Sequence, residues 1–213
     1  NVPEVESAKR GIKVCFPTEE TQRYVFEETA NFAIHLIFRM LYAEIGSLEH
    51  WEKLSRAFLG HKKVLLIGLG NIGGRVREKI SPFVEVHSYD IISNQPEELQ
   101  DLMEIADVVS LHIPLIDATR EFIDQEKLAW MNDGAALVNT ARGPIVAETA
   151  LLAEIKSGRL RAAFDVFWEE PYQGPLREFH PDPFLMSPHV ASTCEDFLRA
   201  LAQDLKAFAA QLK

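Results

Sequence analysis

The run Val64-Leu65-Leu66-Ile67-Gly68-Leu69-Gly70-Asn71-Ile72-Gly73 limits what this chain can fold into more than any other feature. A strand of buried-type residues opens directly into Gly-x-Gly-x-x-Gly. A helical pattern follows to about residue 80, a second strand covers 84–89, and Asp90 stands 22 residues after Gly68. This layout suits a dinucleotide. Gly68 allows the tight turn, Gly70 lets backbone approach a pyrophosphate, and Gly73 lets helix pack on strand. The helix that starts near Asn71 and Ile72 points its free N–H groups at phosphates. Asp90, at the end of the second strand, suits a ribose diol. A glycine triplet alone also marks ordinary turns; the strand, helix and acid around it give this one its meaning. Ile91 and Ile92 follow Asp90 with no arginine or lysine beside them, so a 2'-phosphate would meet an acid and no cation. The coenzyme expected is NAD(H) in preference to NADP.

The α/β alternation continues to the end of the chain. Strands are expected at 63–67, 84–89, 107–112, 135–140, 161–165 and 184–187, with helices near 71–80, 96–105, 125–131, 146–157 and 193–211. The strands are short, β-branched and apolar on both sides, as in parallel sheets covered by helices on both faces. The fold class expected is α/β, a doubly wound parallel sheet (Rossmann fold) with flanking N-terminal and C-terminal helices. Residues 1–17 read as a connector with one short strand at 11–16. Residues 18–46 read as a long helix, with Thr18 as N-cap, acids in its first turn and Gly46 as the stop. Its apolar positions, Val25, Phe26, Thr29, Phe32, Ala33, Leu36, Ile37, Met40 and Leu41, fit equally a core stripe or a face that docks on a second domain or subunit. Trp51, Leu54 and Phe58 suggest a short amphipathic helix. The dinucleotide domain is expected over 47–191. The last helix, 192–213, carries Phe197, Leu201, Leu205, Phe208 and Leu212 on one side and needs a partner surface, most simply the body of the domain.

Composition narrows the partners. A net charge of −10 over 213 residues argues against nucleic acid. Two cysteines, Cys15 and Cys194, imply no metal site and no disulfide framework, and fit a reducing cytoplasm. Cys194 lies five residues after His189, but nothing nearby supports acyl transfer, so it reads as a packing residue. No signal peptide is visible, and the most apolar long window, 31–43, is broken by His35 and Arg39, short of the ~18 residues a membrane span needs. The first residue is Asn, which hints at a fragment or a processed protein.

Beyond the glycine loop, polar residues gather where strands end. Asn139-Thr140-Ala141-Arg142-Gly143 follows one strand, Asp165 ends another, Glu170 comes five residues later, and His189 follows the last. Open α/β sheets bind ligands at the carboxyl ends of their strands. Each residue alone would read as a capping or surface group; four at the edge that carries the glycine loop form a site.

With these residues in view, the chain resembles the D-isomer-specific 2-hydroxyacid dehydrogenases from residue 11 onward. The matching stretches are Gly68 to Gly73, Leu111-His112-Ile113-Pro114-Leu115, Leu137 to Gly143, Asp165-Val166-Phe167 to Glu170-Pro171, and Ser187-Pro188-His189. The resemblance implies catalytic places for Arg142, Glu170 and His189, with Asp165 beside the nicotinamide end. His112 and Pro114 would shape the cofactor wall, and Thr140, Ala141, Arg142 and His189 would line the same site. The residue types agree: an arginine fork matches a carboxylate, and a histidine titrates near neutrality and suits proton transfer. His189 and Glu170 should titrate as a coupled unit. The implied partner is a small 2-hydroxy or 2-oxo acid, with a homodimer built on the long helix. Two positions depart from the family pattern: Asn71 replaces a usual arginine in the glycine loop, and Ala147 a common aspartate. Most of the family's N-terminal lobe is not seen, and residues 1–16 look like its last strand. A non-catalytic NAD(H)-binding interaction module, or a short paralogue that only dimerises, are the other readings. Retention of Arg142, Glu170 and His189 together favours the enzyme.

Overall fold

The computed structural model of the chain describes residues 4–43 and 45–212. It divides into two compact units, one formed by Asn1–Glu28 with Ser192–Lys213 and the other by Thr29–Ala191. The first unit holds helix α1 (Glu4–Lys9), the start of α2 (Glu19–Leu41) and α7 (Glu195–Ala210). Thr18 does cap α2: its hydroxyl accepts the Thr21 N–H, and the Asp204 carboxylate accepts both the Thr18 N–H, at 2.8 Å, and its hydroxyl. The Cys194 sulfur caps α7 by accepting the Phe197 N–H.

The second unit holds a small hairpin, β1 (Gly46–Ser47) with β2 (Glu52–Lys53), and then the α/β body. Its strands are β3 (Lys63–Ile67), β4 (Glu85–Tyr89), β5 (Val108–Leu111), β6 (Ala136–Asn139), β7 (Arg161–Phe164) and β8 (Phe184–Met186). Helices α3 (Gly73–Ile80), α4 (Glu98–Ile105), α5 (Gln125–Trp130) and α6 (Glu148–Ser157) connect them. The strand order is β4-β3-β5-β6-β7-β8, and every pair is parallel. The chain leaves β3 for β4 on one side and returns to β5 on the other, so the order reverses between β3 and β5.

Side chains alternate between the two faces along each strand, and both faces are buried. Val64, Leu66, Val108, Val138 and Ala163 pack with Ala30, Ala33, Leu36 and Ile37 of α2 and with Val76 and Ile80 of α3. Leu65, Ile67, Val109, Leu111, Leu137, Ala162 and Phe164 face the other way, onto Met103 of α4, Leu128 of α5 and Leu151 and Ile155 of α6. The middle of α2 is therefore a core stripe. This two-sided burial accounts for the near-continuous apolar strands of the sequence, and the sheet is the doubly wound Rossmann arrangement expected.

Four local expectations differ. Residues 11–16 form no strand, because among the described residues no neighbouring strand takes up their backbone groups, and Ile12 and Phe16 stay more than half exposed. Residues 51–58 form no helix. Trp51 turns the hairpin with a positive φ of 50° and is 79% exposed, and Phe58 is 72% exposed, so no surface rewards a helical stripe. Helix α2 stops at Leu41, short of Gly46, while Glu44 of the expected span and Asn1–Pro3 of the expected connector lie outside the described residues. Helix α7 groups with the N-terminal residues instead of the α/β body, and none of its residues is fully buried.

Candidate active site

Because all six strands run the same way, their carboxyl ends share one edge. The register aligns Tyr89, Ile67, Leu111, Asn139, Phe164 and Met186 across the sheet. The residues one step further on are Asp90, Gly68, His112, Thr140, Asp165 and Ser187. Parallel pairing thus gathers into one row the polar positions that the sequence scatters over a hundred residues.

The glycine loop sits where the strand order reverses, between the ends of β3 and β5. Gly68 has φ +96°, and a Cβ there would lie 2.8 Å from the His112 carbonyl oxygen. A Cβ on Gly73 would lie 1.9 Å from the Gly68 carbonyl oxygen, so only glycine lets α3 start this close to β3. Gly70 faces open space. The exposed Asn71 offers its carbonyl oxygen to the Arg75 guanidinium at 2.6 Å, and Ile72 precedes the first turn of α3. Asp90 accepts the Leu69 N–H at 2.8 Å on one oxygen and the Ile92 N–H at 3.0 Å on the other. These two backbone bonds hold its carboxyl below the usual range, so it is ionised beside the loop.

Two enclosed polar atoms, His112 Nδ1 and Thr140 Oγ1, have no hydrogen-bond partner in the protein among the described residues. They stand one residue beyond the ends of the neighbouring strands β5 and β6. The other ring nitrogen of His112 shares a 3.0 Å hydrogen bond with the Ser110 hydroxyl. Burial of the ring lowers its pKa to about 4, so it is neutral near pH 7. Pro114 continues the wall, its carbonyl accepting the Thr119 hydroxyl at 2.6 Å. The open space before Gly70, the ionised Asp90 and these two orphaned polar atoms fit a dinucleotide along this edge.

The second half of the edge carries the charged residues. Buried Asn139 shapes the turn after β6: its amide donates to the Arg142 carbonyl and its oxygen accepts the Ala141 N–H, both at 2.9 Å. The exposed Arg142 guanidinium reaches back to the Ala141 carbonyl at 2.5 Å. His189 Nδ1 and Glu170 Oε2 lie 2.7 Å apart, with both side chains partly exposed. Glu170 Oε1 accepts the Phe167 N–H at 3.1 Å. Burial opposes ionisation of Glu170, but the His189 hydrogen bond, the Phe167 N–H and the charges of His189 and Arg142 outweigh it and hold the carboxyl below its ordinary value. As an acceptor, the carboxylate fixes a proton on Nδ1 and leaves Nε2 as the ring nitrogen that can take up or give one.

Asp165 is completely buried, and its carboxylate looks toward the His189 turn. One oxygen accepts the Ser187 hydroxyl at 2.5 Å and the Val190 N–H at 3.0 Å, and the other accepts the Ala191 N–H at 2.8 Å. His189 itself has φ +52°, uncommon for a residue with a side chain. Asp165 therefore secures the strained turn that presents the imidazole. Sequence reasoning gave no role to Asn139 or Ser187, although both lie inside the quoted motifs, and it passed over Trp168 and Tyr172. Their signal, aromatic residues on either side of Glu170-Pro171, is visible but uninformative without the partners they bond.

Comparison with known proteins shows what the chain is similar to. Residues 39–191 match the family described as D-isomer specific 2-hydroxyacid dehydrogenase, NAD binding domain. A glyoxylate reductase of Thermofilum pendens is 34% identical over 219 aligned positions, covering 93% of this chain and 64% of that protein. A hydroxypyruvate reductase of Thermotoga maritima is 33% identical over 210 positions, covering 92% and 68%. A solved D-isomer specific 2-hydroxyacid dehydrogenase from Xanthobacter autotrophicus Py2, in complex with NADPH and MES, superposes with a TM-score of 0.69 at 25% identity, covering 84% of this chain and 65% of that one. The chain thus spans about two thirds of the length of these relatives.

Proposed function

The chain belongs to the D-isomer-specific 2-hydroxyacid dehydrogenase family, and on that footing we propose that it serves an NAD-dependent oxidoreductase interconverting a D-2-hydroxy acid and its 2-oxo acid. The observation that carries this reading is the 2.7 Å His189–Glu170 pair on the sheet edge that also holds the glycine loop and Arg142. The dinucleotide, when bound, supplies or accepts hydride. Gly68, Gly70, Asn71, Ile72, Gly73 and Asp90 would hold its adenosine and pyrophosphate half. His112, Pro114, Thr140, Ala141 and Asp165 would border the nicotinamide half.

The chain's own residues do the rest. Arg142 offers a planar fork to the substrate carboxylate and polarises the adjacent carbonyl. His189 Nε2 donates a proton to the carbonyl oxygen in reduction and takes the hydroxyl proton in oxidation. Glu170 keeps the ring in the required tautomer and balances its charge in the protonated state. Glyoxylate and hydroxypyruvate, the substrates named for the two similar reductases, are the first acids to test.

NAD is favoured over NADP because the groups around a 2'-phosphate would be Asp90, the exposed Ile91 and Ile92, and then Glu97 and Glu98, with no cation from 90 to 98. Residues 1–17 read as the end of a substrate-binding lobe, 18–46 as a linking segment that contains α2 (Glu19–Leu41), 47–191 as the cofactor domain and 192–213 as a C-terminal helix. Self-association is supported by the exposed Ile45, Leu48 and Trp51 around the hairpin, and a reducing cytoplasm by the two unpaired cysteines. Among the described residues, no helix is long and apolar enough to cross a membrane. Fluorescence titration tests the cofactor assignment: NADH should bind more tightly than NADPH, and Asp90→Arg should weaken NADH by about tenfold. Tighter binding of NADPH by the unaltered chain would show the choice to be wrong.

A further inference from the structure

Arg142 and Glu170 stand beside or on two segments, the first running from a single 3-10 turn (Gly143–Ile145) to the first residue of α6 and the second a loop, that touch each other at three points. Residues 143–148 follow Arg142, and residues 167–172 contain Glu170. At the first point backbone meets backbone. A Cβ on the buried Gly143 would lie 2.1 Å from the Phe167 carbonyl carbon, 2.3 Å from its oxygen and 2.5 Å from the Trp168 nitrogen. At the second, the Trp168 indole N–H donates to the Val146 carbonyl at 2.7 Å. At the third, the Tyr172 hydroxyl donates to Glu148 Oε1 at 2.6 Å and accepts the Leu176 N–H at 3.3 Å. Burial, with the neighbouring Glu148 carboxylate, pushes the Tyr172 phenol well above its ordinary pKa, so it remains a donor.

The rings close the arrangement. Phe167 stacks on Tyr172 with centroids 5.0 Å apart, and Trp168 stacks on Phe164 of β7 at 5.8 Å. The Phe167 residue has two duties. Its carbonyl lies against Gly143, while its N–H donates to Glu170. Phe167 thus joins the backbone at Gly143 to the Glu170 carboxylate.

We propose that Gly143, Glu148, Trp168 and Tyr172 form a clasp of positioning residues that sets how the Arg142 guanidinium stands to the Glu170–His189 pair. None of the four needs to touch the substrate. The inference rests on the roles given above to Arg142, Glu170 and His189, and it explains why a six-residue loop without regular structure holds a carboxylate in place. Loosening the clasp lets the Phe167 N–H and Arg142 drift from Glu170, so the carboxyl loses part of what favours its ionised form.

The test follows Glu170 by carbon NMR titration in the chain, with NADH affinity measured on the same samples. Gly143→Ala is the strongest perturbation but risks misfolding, so Tyr172→Phe and Glu148→Ala carry the experiment. Each should raise the Glu170 pKa by about half a unit and leave NADH affinity within about twofold. Glu148→Gln keeps an acceptor oxygen for the phenol and should titrate like the parent. A role confined to overall stability would lower the melting temperature and leave the Glu170 titration in place. That result, or equal disruption by Glu148→Gln and Glu148→Ala, overturns the clasp. A shifted Glu170 alongside full turnover in His189→Ala would uphold the clasp and reject the catalytic reading.

Discussion

His112 should make the α/β unit sensitive to mild acid. Its folded pKa is about 4 because the ring is buried, whereas a histidine in the unfolded chain titrates near ~6.5. The folded value is the depressed one, so the unfolded chain binds the proton first. The contribution to stability is full above about pH 6.5 and is lost as pH falls toward 4. Proton linkage between those two values gives a loss of about 2 kcal/mol at pH 5 and less than about 0.1 kcal/mol at pH 7.5. Replacing His112 by Gln removes the titration and keeps an amide able to reach Ser110. All three tryptophans, Trp51, Trp130 and Trp168, lie within Thr29–Ala191, so their fluorescence reports unfolding of this unit. Urea unfolding at pH 7.5 and pH 5.0 should show the parent losing about 2 kcal/mol more than His112→Gln, a midpoint change of about 1 M. Equal losses in the two proteins would refute the burial argument, as would an imidazole that NMR finds protonated at pH 5.

Gly73→Ala forces a Cβ toward the Gly68 carbonyl oxygen, a backbone atom 1.9 Å away. It should cost about 1–3 kcal/mol and weaken NADH at least tenfold by fluorescence; unchanged affinity would detach the loop from the coenzyme. Asp165→Asn places an amide donor among the Ser187 hydroxyl and the Val190 and Ala191 N–H groups, all donors. Urea unfolding should show about 2–4 kcal/mol of destabilisation, and a loss below about 0.5 kcal/mol would contradict the buttress assigned to Asp165. Sedimentation at high concentration should find a dimer that Trp51→Ser weakens; a monomer at every concentration would remove the self-association proposal.

The sheet was legible because parallel strands buried on both faces advertise themselves: Val64 to Ile67 and Ala136 to Val138 have no polar face to confuse the reading. Their carboxyl ends were legible for the same reason, since strand boundaries locate Gly68, Asp90, His112, Thr140 and Asp165 at one edge. What failed lay where burial is decided by distant partners. Ile12 to Phe16 has strand-forming residues but no strand beside it. Trp51, Leu54 and Phe58 have helical spacing but no surface to cover. The supports of the site were hidden by the same logic. Asn139 is one more polar residue in a motif by sequence, and only the fold brings its amide to both the Ala141 N–H and the Arg142 carbonyl. The Tyr172–Glu148 bond joins residues 24 positions apart, which no local pattern connects.

On the function proposed above, one edge of this sheet joins a dinucleotide site to a histidine-driven proton transfer. NADH oxidation followed during reduction of glyoxylate and hydroxypyruvate, with NADH binding measured in parallel, tests this directly. His189→Ala should lower turnover by about 10²–10⁴-fold while NADH binding stays close to that of the parent. Full turnover without the imidazole, or an unaltered protein that binds NADH and reduces no 2-oxo acid, would contradict the account.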